Sequence, residues 1–148
     1  MTELALDRNA DLSSTRLDAA RFAVPVGRAL FAAIFLIAGP GHFGAQSIGY
    51  AAAAGVPLAS LAVPLSGIIA MLGGLSILLG YRVRIGAALI ALFLVPVTFT
   101  LHNFWAHSDP MTYQMHFVMF WKNLGLLGGA AFLFWFGAGP YSLDARRR

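Results

Sequence analysis

The stretch HFVMFWKNLGLLGG, residues 116–129, sets one lysine in a run that otherwise reads as lipid-soluble. An ammonium in such surroundings needs water, carbonyls, an anion or a carboxylate, because an unpaired charge away from water is costly. Asn123 follows Lys122 and can both donate and accept hydrogen bonds. Four histidines form a second set: His42, His102, His107 and His116. Asn103, Gln46, Tyr113 and Gln114 add hydrogen-bonding capacity near them. His116 and Asn123 are seven apart and share a helix face. Imidazoles bind copper or zinc, but no H-x3-H pair occurs and no acid or thiolate completes a ligand set. No metal site is therefore expected, and histidines capping helix ends are the simpler reading. A pocket for a quinone headgroup needs only one or two donors and an aromatic wall. Trp105, Phe104, Phe120 and Trp121 are the candidates for that wall.

Lys122 supports two readings. It is expected a few residues into the fourth helix from the outer end, about 7–10 Å below the interface at 1.5 Å per residue. Helical side chains lean toward the N-terminus, so its stem can carry the ammonium back toward water. The other reading makes it a ligand for a quinone carbonyl, a lipid phosphate or a partner subunit's carboxylate. No apolar run contains an acid, and Asp109 is the one acid expected on that side.

The elements that hold these residues follow from composition. The 148 residues are 59% hydrophobic and 11% charged, against about 25% charged in an ordinary soluble domain. Four apolar runs stand out: Val24 to Phe43, Leu58 to Gly80, Ile85 to Trp105 and Tyr113 to Phe136. Each is near the ~20 residues that cross a bilayer as a helix. They are apolar all round, unlike the striped helices of a soluble bundle. The expected fold is all-α, an integral membrane bundle of four transmembrane helices. Residues 1–23 read as a polar tail, 24–144 as the transmembrane domain and 145–148 as a basic tail. Residues 11–22, DLSSTRLDAARF, have the pattern of a short amphipathic helix.

Basic residues set the expected orientation. Arg8, Arg16, Arg21 and Arg28 precede or open the first run, Arg82 and Arg84 fill the second turn, and Arg146, Arg147 and Arg148 close the chain. The connections Gly44 to Pro57 and Ala106 to Thr112 carry no lysine or arginine. The positive-inside rule puts both termini in the cytoplasm and the histidines at the outer boundary. The net charge of +4 is spread over the polar ends of apolar segments, so nucleic acid is not an expected partner. With no cysteine, disulfides and thiol chemistry are excluded. Gly125 and Gly129 form a small-xxx-small pair, with Gly73 and Gly74 as further candidates for close helix packing. Gly125 and Gly129 share a face with Lys122, which turns the lysine toward protein.

An ordered set of motifs resembles the DoxX family of small four-helix bacterial membrane proteins. The set is GRALFAAIFLIAG with His42-Phe43, GVP at 55–57, LGGLSILLGYRVR at 72–84, HNFW at 102–105, FWKNLGLLGG at 120–129 and GPYSLD at 139–144. The chain departs from the family at two places, with His42 where lysine is frequent and Ala70 where glutamate is frequent. The resemblance implies a multi-pass protein of the bacterial cytoplasmic (inner) membrane that serves membrane redox systems. Its first implied role is an accessory subunit of a redox or respiratory complex, partnered by lipid, other membrane subunits or copies of itself. The second is a quinone-interacting oxidoreductase subunit; the outer histidines themselves add a third reading, a small transporter or metal-handling protein. No intrinsic cofactor is expected, and quinone is the candidate ligand. Lys122, Asn123, His116, His102, Asn103, His42 and Trp105 are the candidate binding residues, meeting where the first, third and fourth runs have their outer ends.

Overall fold

The computed structural model describes residues 21–147, so the amphipathic pattern at 11–22 lies almost wholly outside the described residues. Helix α1 occupies residues 21–38 and passes into a 3-10 turn, Gly39–Phe43. A short helix α2, Ala45–Ala53, follows. Helices α3, Ala59–Leu79, α4, Val83–Leu101, and α5, Pro110–Phe136, complete the bundle. Four segments of the described residues are long and apolar enough to cross a membrane: Arg21–Phe43, Ala59–Leu79, Val83–Ala106 and Pro110–Phe136. Among the described residues no strand occurs. The molecule is an all-α bundle of the membrane-spanning kind.

The side chains are distributed as a bilayer demands. Large apolar residues such as Leu30, Ile37, Leu61, Phe132 and Trp135 face outward. Small ones line the helix contacts, where packing rather than water expulsion holds helices together. A Cβ on Gly74 would lie 3.2 Å from that of Phe35, which brings α1 against α3. A Cβ on Gly73 would lie 3.0 Å from the Gly86 carbonyl oxygen, which brings α3 against α4. One on Gly129 would lie 2.8 Å from the Phe31 ring, so α5 closes against α1. A Cβ on Gly125 would meet nothing within 4 Å among the described residues. Ala32, Phe35, Ile77, Ile90, Leu94 and Ala130 fill the centre.

Successive helices run in opposite directions and separate the polar residues into two ends. One end carries Arg28, Arg82, Arg84 and the C-terminal segment. The other carries His42, α2 and the connection from His102 to Asp109. The sequence places no helix between Gly44 and Pro57, yet α2 forms there. Its run AQSIGYAAA is rich in alanine, the best helix former. Ala51 packs with Ala59 and Val63, joined by Ile48 and Leu101.

The arginine end is tied to the C-terminus. Arg28 is only 3% exposed and donates to the carbonyls of Ala138 and, at 2.6 Å, Tyr141. Asp144 accepts from the backbone N–H groups of Arg82 at 2.8 Å and Val83 at 3.1 Å, which caps the start of α4. Gly80, at φ +66°, closes α3 in a conformation that disfavours a side chain. Its space is also filled, since a Cβ there would lie 2.4 Å from the Ser142 Cβ.

Candidate functional site

At the histidine end the helices enclose a cavity of about 810 Å³. That is within the ~300–1,000 Å³ of ordinary ligand sites. Each spanning helix contributes. α1 and its 3-10 turn supply Ile34, Phe35 and His42; α3 supplies Ser66 and Ala70; α4 supplies Phe93, Leu94 and Thr100; α5 supplies Lys122, Asn123 and Leu126. Gln46, Ser47 and Tyr50 of α2 complete the lining. They recur on one face of that short helix.

The polar groups on this wall are incompletely engaged. Lys122 has no hydrogen-bond or ion-pair partner among the described residues, and Asn123, only 4% exposed, makes no side-chain hydrogen bond there. No aspartate or glutamate lines the cavity, so Lys122 is its one formal charge. His42 is better fixed. The Ser66 hydroxyl donates to the Val63 carbonyl at 2.7 Å. That uses its single hydrogen, so at 3.0 Å the His42 Nδ1–H must donate to Ser66 Oγ. A neutral His42 therefore keeps Nε2 as an acceptor. The arrangement offers the Lys122 ammonium and the Asn123 amide N–H to an acceptor oxygen, while His42 Nε2 can accept from a hydroxyl. Phe35 and Phe93, packed edge to face at 86°, supply an aromatic wall.

The sequence candidates divide into those that share this cavity and those that do not. His42, His102, Lys122 and Asn123 line it. His116, Asn103 and Trp105 do not. His116 is 4% exposed, with its ring 5.7 Å from that of His102 and stacked 4.3 Å from that of His107. Trp105 joins Phe104 and Phe120 in an aromatic cluster that Tyr113, Phe117 and Trp121 extend. That cluster is separate from the cavity, whose aromatic wall comes from Phe35 and Phe93. The backbone explains the difference. α4 ends at Leu101, and His102 and Asn103 leave helical geometry with ψ of 36° and 67°. The next residues are thereby redirected into the 3-10 turn Phe104–Ala106. Phe35 and Ser66 escaped the sequence reading, although Phe35 lies seven before His42 on one helical face and Ser66 is a polar residue inside an apolar span. Among the described residues no group of three metal-ligating side chains converges.

Outside the spans, Asp109 caps α5. It accepts from the Thr112 N–H and hydroxyl, each at 2.8 Å, and these hold its carboxyl below the usual carboxylate range.

The sequence model of the DoxX family matches residues 23–103, more than half of the chain. The match takes in α1 to α4 and stops before Lys122. No curated protein and no solved structure matches the chain.

Proposed function

The chain belongs to the DoxX family, and from that premise we propose that it serves a membrane redox complex as an accessory subunit that holds a quinone-type ligand in this cavity. The carrying observation is that the exposed Lys122 and the buried Asn123, neither with a protein partner among the described residues, stand together on the wall of a cavity that also holds Phe35 and Phe93. A buried carbonyl or phenolate oxygen is the partner that chemistry supplies for such donors. Phe35, Phe93 and Leu126 suit a flat ring. The group fits these residues. When bound it would supply redox chemistry that the chain's own side chains do not carry, while Lys122 and Asn123 would donate to its oxygen and His42 Nε2 would accept only from a hydroxyl of its reduced form.

A transport role is less well supported. Between the cavity and the arginine end the core is Ile77, Val83, Ile90 and Ala130, which offers no polar route. The basic residues put the histidine end on the outer side of the membrane. Reporter fusions at Ala53 and His107 should map outside and one after Arg82 inside.

A photoreactive azido-benzoquinone, applied to the protein in lipid nanodiscs, tests the site. Cross-links are expected on peptides containing His42 and Lys122. Labelling confined to the lipid-facing Phe132–Phe136 segment would refute it.

A further inference from the structure

Three histidines from three parts of the chain form a column. His107 is half-buried in the connection outside the spans. Its ring lies parallel to that of His116, with centroids 4.3 Å apart and 10° between planes. His116 leads to His102 at 5.7 Å, and His102 lines the cavity. Among the described residues His102 and His116 each leave Nδ1 buried with no hydrogen-bond partner. Buried polar nitrogens are normally paired, and two adjacent exceptions need a reason. The charged and titratable groups around the column are few. Lys122, His42 and Tyr50 line the cavity that His102 faces, and Asp109 lies two residues beyond His107. Tyr113 packs on the neighbouring Phe104.

We propose that His107, His116 and His102 act as one proton-carrying column between the aqueous end of the bundle and the cavity, taking up a single proton when an anionic oxygen occupies the site beside Lys122. An imidazole accepts a proton on one nitrogen and releases one from the other. Two imidazolium charges at the stacking distance repel strongly, so the rings share one proton and titrate as a unit. Lys122 repels that proton from His102 and holds it toward His107. A negative oxygen beside Lys122 cancels the repulsion and draws the proton inward. The proton comes from water at His107 and returns there when the anion leaves, so no other reactant takes part. A parallel stack sets no N–H in line with the next ring's nitrogen. Each transfer therefore takes a turn of a ring or a water at the ring edges.

The purpose of the column rests on the reading of the cavity as a quinone-type site, but its titration does not. The sequence has only four histidines, so 15N-imidazole NMR of the full chain in nanodiscs is assignable by single substitutions. Between about pH 8 and pH 5, the range in which histidine titrates, the three rings should respond together and bind one proton in total. His107→Phe keeps a ring in the stack and should abolish the response of His102 to pH; His107→Gln provides the same reading should the phenylalanine disturb folding. Three independent protonations, or an unchanged His102 response in these variants, would overturn the proposal. Calorimetry with 2-hydroxy-1,4-naphthoquinone, an acidic quinone, in buffers of different ionisation enthalpy separates the two ideas. Uptake of one proton on binding, lost in His107→Phe, supports the column. Binding without uptake refutes the column and leaves the site standing. Absence of binding counts against the site, while the NMR titration still decides the column.

Discussion

The two ends of the bundle use polar residues in opposite ways. At the arginine end, Arg28 donates to two carbonyls of the C-terminal segment, and both carboxylate oxygens of Asp144 accept backbone N–H groups. Among the buried side-chain atoms of the described residues, Arg28 Nε alone stays unpaired there. At the histidine end, Lys122 and Asn123 have no protein partner among the described residues, and two buried imidazole nitrogens are left over. Polar groups within a membrane are expensive unless they fasten the fold or meet something else. The arginine end shows the first case, and the open groups around the cavity suit the second. Polarity alone therefore does not mark a site in such a bundle; unspent hydrogen-bonding capacity does.

The contrast is broken most easily at Arg28. Arg28→Met removes two hydrogen bonds from a charged donor, each worth ~1.5–3 kcal/mol. The loss should exceed about 3 kcal/mol, seen as a clear fall of the thermal midpoint in detergent. A midpoint like that of the wild type would show that the C-terminal segment is not fastened as described.

A smaller effect is expected from the glycines of α5. Gly129→Leu drives a side chain into Phe31, and such overpacking costs ~1–3 kcal/mol. Gly125→Leu enters open space and should leave the monomer's midpoint unchanged. If size-exclusion chromatography shows that Gly125→Leu alone releases a partner or a second copy, the outward face of α5 is a docking surface. If both variants melt alike, the α1–α5 contact is misplaced.

The smallest effect concerns pH at the first turn of α5. The Asp109 carboxyl is held below its ordinary range, so its capping contribution is present above that range and is lost as pH falls through the lowered value. Protection of the Thr112 amide, its exchange measured against the intrinsic rate at each pH, should fall on acidification in the wild type. In Asp109→Asn it should show no such pH step. An equal step in both would assign the fraying to other groups.

How much of this was legible in the sequence depends on the residue. The four spans were, because all-round apolarity has no other use at that length. The meeting of His42, His102, Lys122 and Asn123 followed from alternating helix directions, which bring three chain segments to one end. The exclusion of Asn103 and Trp105 from the cavity did not, since helical spacing has no meaning beyond Leu101. Helix α2 was hidden because its alanines are too few to span a membrane and its packing depends on Val63 and Leu101. The role of Arg28 was hidden as well. Its partners lie 110 and 113 residues away, and a motif such as GPYSLD does not reveal which carbonyl it turns inward.

The central claim is that Lys122 holds a ligand rather than the fold. Lys122→Met keeps the length of the side chain and removes the charge. The decisive measurement is quinone content per protein after mild-detergent purification, taken together with the thermal midpoint, for the wild type and this variant. The wild type should retain quinone. The variant should melt at the same temperature and retain about tenfold less, the equivalent of ~1.4 kcal/mol from one lost charge-assisted hydrogen bond. Equal quinone in both proteins, none in the wild type, or a loss that only accompanies a lowered midpoint would contradict the account.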